Sequence, residues 1–221
     1  MRARRHARQG TSNLRREAAG VPLIGGIVIA AGASRRMGTP KQLLDLGGRP
    51  LLRWSIDALQ AVKPRQLLLV VGHEASRIAG ALRLDGVQVV VNERYAEGQS
   101  TSLRAGLAAL EQDIEAALVL AGDQPLVTAD HLIQLVRAYR GDATGIIATQ
   151  YEDHRGVPML LARAIWPLAA GIAGDQGARA LLRAVPERVA SVEAPDRAMA
   201  MDVDTPEQYA AVRALVAERG A

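Results

Sequence analysis

The chain has 221 residues, 49% of them apolar and none of them cysteine. That is enough to bury one sizeable core, and it rules out disulfides, zinc–thiolate sites, iron–sulfur clusters and a thiol nucleophile. The isoelectric point is near 9.9, but Arg2, Arg4, Arg5, Arg8, Arg15 and Arg16 against Glu17 put +5 on the first twenty residues of a chain whose net charge is +4, leaving −1 for the rest. That remainder shows no basic stripe interleaved with aromatics, so nucleic acid is disfavoured as a partner.

Residues 1–20 read as a disordered basic extension, and residues 21–221 as a single domain. Arg15 and Arg16 followed by an apolar run to Ala33 imitate a secretory or twin-arginine leader. Cleavage near Ala31 or Ala33 would, however, remove the first strand, and the run is broken by Gly25 and Gly26 and too short to span a bilayer. The expectation is a cytoplasmic protein with no membrane partner.

An apolar strand from Leu23 leads into a loop ending at Lys41. The segment 43–50 reads as a turn, with Pro50 as first residue of a helix through Leu51, Leu52, Ser55, Ile56, Leu59 and Val62 that Pro64 ends. Residues 67–71 form a continuous apolar run, the pattern of a strand buried on both faces; 74–82 is helical and 87–91 a third strand. Any of Ser100, Thr101 and Ser102 can cap the helix that carries Leu103, Leu107 and Leu110. A buried strand over 116–121 ends in Gly122-Asp123-Gln124-Pro125, and Thr128 opens a helix over 129–139. Beyond Ile146 the alternation loosens, with a helix near 162–170, another opened by 174–177, and a last one from Pro206. Alternating strands and helices predict an α/β fold, a doubly wound, mostly parallel sheet with helices on both faces.

The loop after the first strand, A-A-G-A-S-R-R-M-G-T-P-K, carries the most chemistry. Ala30, Ala31, Gly32 and Ala33 let backbone N–H groups approach anionic oxygens, and Arg35, Arg36 and Lys41 supply charge, so the loop reads as a triphosphate cradle rather than a plain surface turn. The chain has only two lysines, Lys41 and Lys63; a compact ammonium at the end of this loop suits phosphate oxygens. No Gly-Lys-Ser/Thr follows Gly38 and no G-x-G-x-x-G opens a helix, which disfavours a P-loop ATPase and an ordinary dinucleotide-binding domain.

Asp123 follows an apolar strand, placing its carboxylate at the carboxyl end of the sheet beside the loop. Magnesium takes one or two carboxylates plus phosphate oxygens, so a second acid is expected. Asp202 and Asp204, two residues apart, would share one face if extended. Taken singly, Asp123 also suits a turn before Gln-Pro, and Asp204 a cap ahead of Pro206. His6, His73, His131 and His154 share no ligand spacing and read as surface or helix-end residues; Trp54 and Trp166 read as core packing. No G-x-S-x-G elbow points to a hydrolase.

The run A-A-G-x-S-x-R-M-G-x-x-K resembles the signature of nucleotidylyltransferases, most closely the molybdenum-cofactor cytidylyltransferase family, and the resemblance extends from residue 23 to about residue 215 through G-D-x-P at Asp123 and D-x-D-T-P-E at Asp204. It implies a Rossmann-like nucleotidyltransferase fold and a Mg²⁺-dependent transfer of CMP from CTP to molybdopterin or its molybdenum form, with release of pyrophosphate. By that resemblance Arg36, Lys41 and Asp123 are catalytic. Ala30, Ala31, Gly32, Ser34, Arg36, Lys41, Gly98, Ser100 and Ser102 bind nucleotide, Asp123 and Asp204 hold the metal with Asp202 a neighbour, and Gly156, Pro158, Asp175, Gly177 and Arg179 face the acceptor.

Ala30-Ala31-Gly32 resembles the cytidylyl branch, since guanylyl relatives more often show a second glycine. Val157 departs from the family's usual His or Asn, which leaves the acceptor open. The rival readings are GTP as donor, another phosphorylated acceptor, and a nucleotide-binding module without catalysis. A molybdoenzyme or its chaperone is the protein partner the resemblance implies.

Overall fold

The computed structural model describes residues 22–141 and 144–220; the expected extension over 1–20 lies outside them. In chain order the elements are β1 (Ile24–Ala30), β2 (Asp45–Leu46), β3 (Arg49–Pro50), α1 (Leu51–Ala61), β4 (Gln66–Val71), α2 (Ala75–Ala81), β5 (Gln88–Val91), α3 (Gln99–Ala108), β6 (Ala116–Ala121), α4 (Ala129–Ala138), β7 (Ile146–Gln150), β8 (Arg155–Ala162), α5 (Arg179–Ala184), β9 (Val189–Glu193) and α6 (Pro206–Gly220). Seven strands form one sheet in the order β5-β4-β1-β6-β8-β7-β9. Only β8 runs against the others, pairing antiparallel with β6 and β7.

Side-chain alternation splits the core between the two faces of this sheet. Val28, Leu69, Leu118 and Leu120 pack on Leu52, Ile56 and Leu59 of α1 and Leu132 and Leu135 of α4. Ile27, Leu68, Val70 and Val119 pack on Leu103 and Leu107 of α3. Helix α3 comes so close that a Cβ on Gly106 would sit 2.8 Å from Ile27. A third cluster, Leu46, Leu51, Leu126, Val203, Val212 and Val216, seats α6 on the β2–β3 hairpin. Gly47 and Gly48 both have positive φ, as a two-residue hairpin turn requires.

Several local expectations are corrected. Pro50 ends a short strand and precedes the helix rather than beginning it. Ser100, Thr101 and Ser102 lie inside the first turn of α3, and Gly98 takes the capping position. The helix expected near 162–170 is a 3₁₀ run, Arg163–Gly171, interrupted by Pro167. Beyond Ile146 the chain still builds three strands, which the loosened pattern hid because β8 is an antiparallel insertion and β9 an exposed edge. Among the described residues no helix is long and apolar enough to cross a membrane.

His131, expected at the surface or a helix end, lies in the first turn of α4 but is only 2% exposed. Its Nε2 is 2.8 Å from the Thr149 hydroxyl, which itself donates to the Pro158 carbonyl at 2.7 Å. Because the hydroxyl's one proton is used there, Nε2 must carry a proton and donate, which fixes the neutral tautomer. Burial pushes the imidazole below its ordinary value of 6.5. The folded state therefore binds a proton less readily than the unfolded chain, so stability is complete above pH 6.5 and is lost as pH falls towards the lowered folded value. Thermal melts between pH 8 and 5 should show a steeper acid-side loss for the native chain than for His131→Gln, which can still donate to Thr149 but cannot ionise. Parallel curves would remove His131 as the cause.

Candidate active site

The carboxyl ends of β1 and β6 open onto the loop 31–40 and onto Asp123. The loop closes in a 3₁₀ turn, Lys41–Leu43, that follows Pro40. From that turn Lys41, 8% exposed, reaches Asp123 Oδ2 and Asp204 Oδ1, each at 2.6 Å. Arg36 approaches the other oxygen of Asp204 at 2.7 Å from a largely exposed position. Four groups expected from three separate motifs thus meet in one cluster.

Local sequence explains how Asp204 is free for this contact. Thr205 and Gln208 form a reciprocal capping pair at the start of α6: the Gln208 N–H donates to Thr205 Oγ1, and Gln208 Oε1 accepts from the Thr205 and Asp204 N–H groups. Thr205 is the cap and Pro206 the first helical residue. The alternative reading of Asp204 as a cap therefore does not describe its carboxylate. Val203 is buried in the third cluster and its N–H donates to the Asp123 carbonyl at 3.0 Å, turning Asp202 and Asp204 together to the other side. From there they diverge. Asp204 meets Lys41 and Arg36, whereas Asp202 lies near Gln124 and in the fields of Asp123 and Arg179.

The titration directions follow from this arrangement. Burial opposes the Lys41 charge, but Asp123 and then Asp204 outweigh it, and its pKa rises. For Asp204, burial is likewise overcome by Lys41 and Arg36, and the carboxyl is held below its usual value. Burial, with Asp123 as the next cause, pushes Asp202 up to about 6 against the opposing pull of Gln124 and Arg179.

As a donor set for a cation, Asp123 and Asp204 converge on a single ammonium, so their near oxygens lie no further apart than those two contacts together allow. Two hard carboxylate oxygens at such a span suit a divalent cation whose remaining ligands are phosphate oxygens and water. Among the described residues no group of three or more acids or histidines offers a complete cage.

The remaining expected residues fall around this centre. Ser34 has positive φ, 50°, and its hydroxyl accepts from the Lys41 N–H at 3.2 Å. Ser102 and Thr101 are engaged by the Asn92 amide at 2.9 and 2.8 Å, which makes them part of the packing. Ser100 Oγ is buried with no hydrogen-bond partner among the described residues. Gly98, at φ 114°, leaves no room for a Cβ, which would come within 2.3 Å of the Gly174 backbone; one on Gly177 would meet the Gln99 side chain at 2.8 Å. The expected nucleotide-side and acceptor-side segments are therefore in direct contact. Gly156 packs under Arg179, with 3.0 Å from a would-be Cβ to Nε, and Pro158 supplies the carbonyl held by Thr149. Asp175 is exposed.

Gln42, Gln124 and Tyr151 stand at this site without belonging to any of the expected motifs' functional positions. Gln42 is buried under the loop, Gln124 is buried beside Asp202, and the Tyr151 hydroxyl donates to the Val157 carbonyl at 2.7 Å. Adjacency to Lys41 and Asp123 was the available signal for the two glutamines. A cavity of about 800 Å³ between α1 and α6, lined by Arg49, Trp54, Leu126 and Val216 among others, shares no residue with the charged cluster, so loop geometry and charge, not cavity size, locate the site.

Comparison with known proteins bears on the same segments. Residues 26–192 match the family described as MobA-like NTP transferase domain. The chain is 31% identical to nicotine blue oxidoreductase from Paenarthrobacter nicotinovorans over 85% of its own length and 95% of that protein. Its structure resembles that of Rv0371c from Mycobacterium tuberculosis, at 32% identity and a TM-score of 0.76, over 88% of this chain and 99% of that one. A manganese complex of Rv0371c matches at 30% identity and a TM-score of 0.72, over 88% and 99% of the two chains. A seven-stranded, mostly parallel sheet with an Ala-Ala-Gly loop at its carboxyl edge, matched over three quarters of the chain, makes this protein a member of the MobA-like NTP transferase family.

Proposed function

We propose that the protein transfers CMP from CTP to molybdopterin or its molybdenum form and releases pyrophosphate, with Mg²⁺ as the metal. The observation that carries the reading is the meeting of Lys41, Arg36, Asp123 and Asp204 at the mouth of the sheet, beside a loop of small residues. Family membership supports nucleotidyl transfer. The choice of CTP rests on the Ala30-Ala31-Gly32 resemblance, and the choice of acceptor on the resemblance of 174–179 to the family's pterin side. Val157 keeps other phosphorylated acceptors in the test. The manganese complex of the mycobacterial relative favours a divalent cation here.

The chain's own residues need only align and neutralise. A phosphate monoester is already an anionic nucleophile at neutral pH, so no general base is needed for its oxygen to attack the α-phosphorus as pyrophosphate leaves. In this assignment Arg36 and Lys41 turn to the phosphates, the loop N–H groups hold the leaving pyrophosphate, and Arg179 grips the acceptor phosphate. Asp123 and Asp204 would hold the cation, which when bound supplies positive charge to the triphosphate. Two carboxylates and two cations cancel as they stand, so the cluster has little net pull on a polyanion by itself.

The oxidoreductase relative favours one second reading, a redox enzyme built on the same fold. Incubation of purified protein with Mg²⁺ and CTP, GTP, ATP or UTP in turn, with and without molybdopterin, separates the two. Pyrophosphate release that depends on molybdopterin and is fastest with CTP is expected. Absence of pyrophosphate release with every one of the four nucleotides would refute transfer, and a preference for GTP would refute the base assignment.

Lys41→Ala should lower turnover about 100- to 1,000-fold, the usual loss for one electrostatic contact to developing charge. Near-native turnover at saturating nucleotide would remove Lys41 from the phosphates. Asp123→Asn and Asp204→Asn should each abolish metal-dependent transfer and also lower the thermal midpoint without metal, because each takes one carboxylate from the buried Lys41 ammonium. Full activity of either variant at the same Mg²⁺ concentration would strike that residue from the metal site.

A further inference from the structure

We propose that Gln42 is the positioning residue of the phosphate loop, its side-chain amide drawing the carbonyls of Ala30 and Gly32 inward so that the N–H groups that follow them face the triphosphate. The inference rests on the nucleotidyl-transfer reading above. Gln42 is only 3% exposed and lies in the 3₁₀ turn beside Lys41. Its Nε2 donates to the carbonyls of Ala30 at 3.0 Å and Gly32 at 3.1 Å, and its Oε1 accepts from the Ser34 hydroxyl at 3.2 Å. The orientation of the amide is dictated by its partners, since two carbonyls can only accept.

In a trans peptide the carbonyl and the following N–H point in opposite directions. Drawing the Ala30 and Gly32 carbonyls towards Gln42 therefore turns the N–H groups of Ala31 and Ala33 away from it, to the outer side of the loop. The peptide between them is tied as well, with the Ala31 carbonyl accepting from the His73 N–H at 3.3 Å. Ser34 is held at φ 50°, a region that costs a non-glycine residue energy and needs fastening. Its hydroxyl is fastened from both sides, by donating to Gln42 Oε1 and by accepting from the Lys41 N–H. Successive N–H groups around such a backbone form an anion-binding concavity. Gln42 thus links the direction of the loop amides to the placement of Lys41 without touching the substrate.

The test measures binding of CTP and GTP with Mg²⁺ by calorimetry, together with pyrophosphate-release kinetics, for the native chain, Gln42→Leu, Gln42→Glu and Ser34→Ala. Gln42→Leu removes both donors, and Gln42→Glu sets an acceptor against two carbonyls. Each should raise triphosphate Kd and KM about tenfold or more, the scale of buried hydrogen bonds lost, while the acceptor KM stays unchanged. Ser34→Ala should weaken nucleotide in the same direction by less, and the Gln42→Leu/Ser34→Ala double variant should be no worse than Gln42→Leu alone. Native triphosphate affinity in the Gln42 variants would overturn the proposal, as would equal losses for nucleotide and acceptor that track a fall in thermal midpoint. If the Gln42 variants do not fold, unchanged affinity in Ser34→Ala overturns it. A native chain that binds no triphosphate defeats the transfer reading and this proposal together, whereas a native chain that binds triphosphate as tightly as its Gln42 variants defeats this one alone.

Discussion

A single buried ammonium holds three distant parts of this chain together. Lys41 is paired with Asp123, 82 residues away, and with Asp204, 163 residues away, so the loop after β1, the end of β6 and the approach to α6 share one charge. A buried cation without partners would be costly, and a pair of facing carboxylates without a cation would repel, so each of the three groups depends on the others. The sheet sets the distance between them: β1 and β6 are adjacent parallel strands, in register from Ile24 opposite Ala116 to Ile29 opposite Ala121.

The same arrangement ties α6 to the charged cluster through Asp204. Val203, Val212 and Val216 seat the C-terminal segment on the hairpin, and the Thr205–Gln208 cap begins the helix without using the Asp204 carboxylate. Packing and capping thus leave one acid exposed to the site at low cost in backbone satisfaction. The opposite side of the mouth is organised by close backbone approach, where Gly98 and Gly174 meet with no space for a side chain.

Charge balance connects this geometry to chemistry. Arg36 and Lys41 against Asp123 and Asp204 make a neutral cluster whose members are already satisfied by one another. On the proposed reading, a polyphosphate arriving with a divalent cation would offer each side a new partner, carboxylates to metal and cations to phosphate, an exchange of ion pairs rather than the burial of bare charge.

Much of this is legible in the amino-acid sequence alone. Residues 67–71 of β4 and the whole of β6 are continuous apolar runs, the pattern of strands covered on both faces, β1 is apolar but for Gly25 and Gly26, and the Ala-Ala-Gly loop, Asp123 and the Asp-x-Asp-Thr-Pro run each announce themselves within a dozen residues. What the sequence could not show is the partner of each. That His131 is buried and neutral, that Asp202 turns to Gln124 while Asp204 turns to Lys41, that Gln42 lies under the loop, and that β7, β8 and β9 complete the sheet all depend on contacts between residues far apart in the chain. Short-range patterns record which backbone conformation and which face a residue prefers, because those are set by neighbours three or four positions away. The environment of an ionisable or amide side chain is set by whatever the fold brings against it, and so only the tertiary structure decided it.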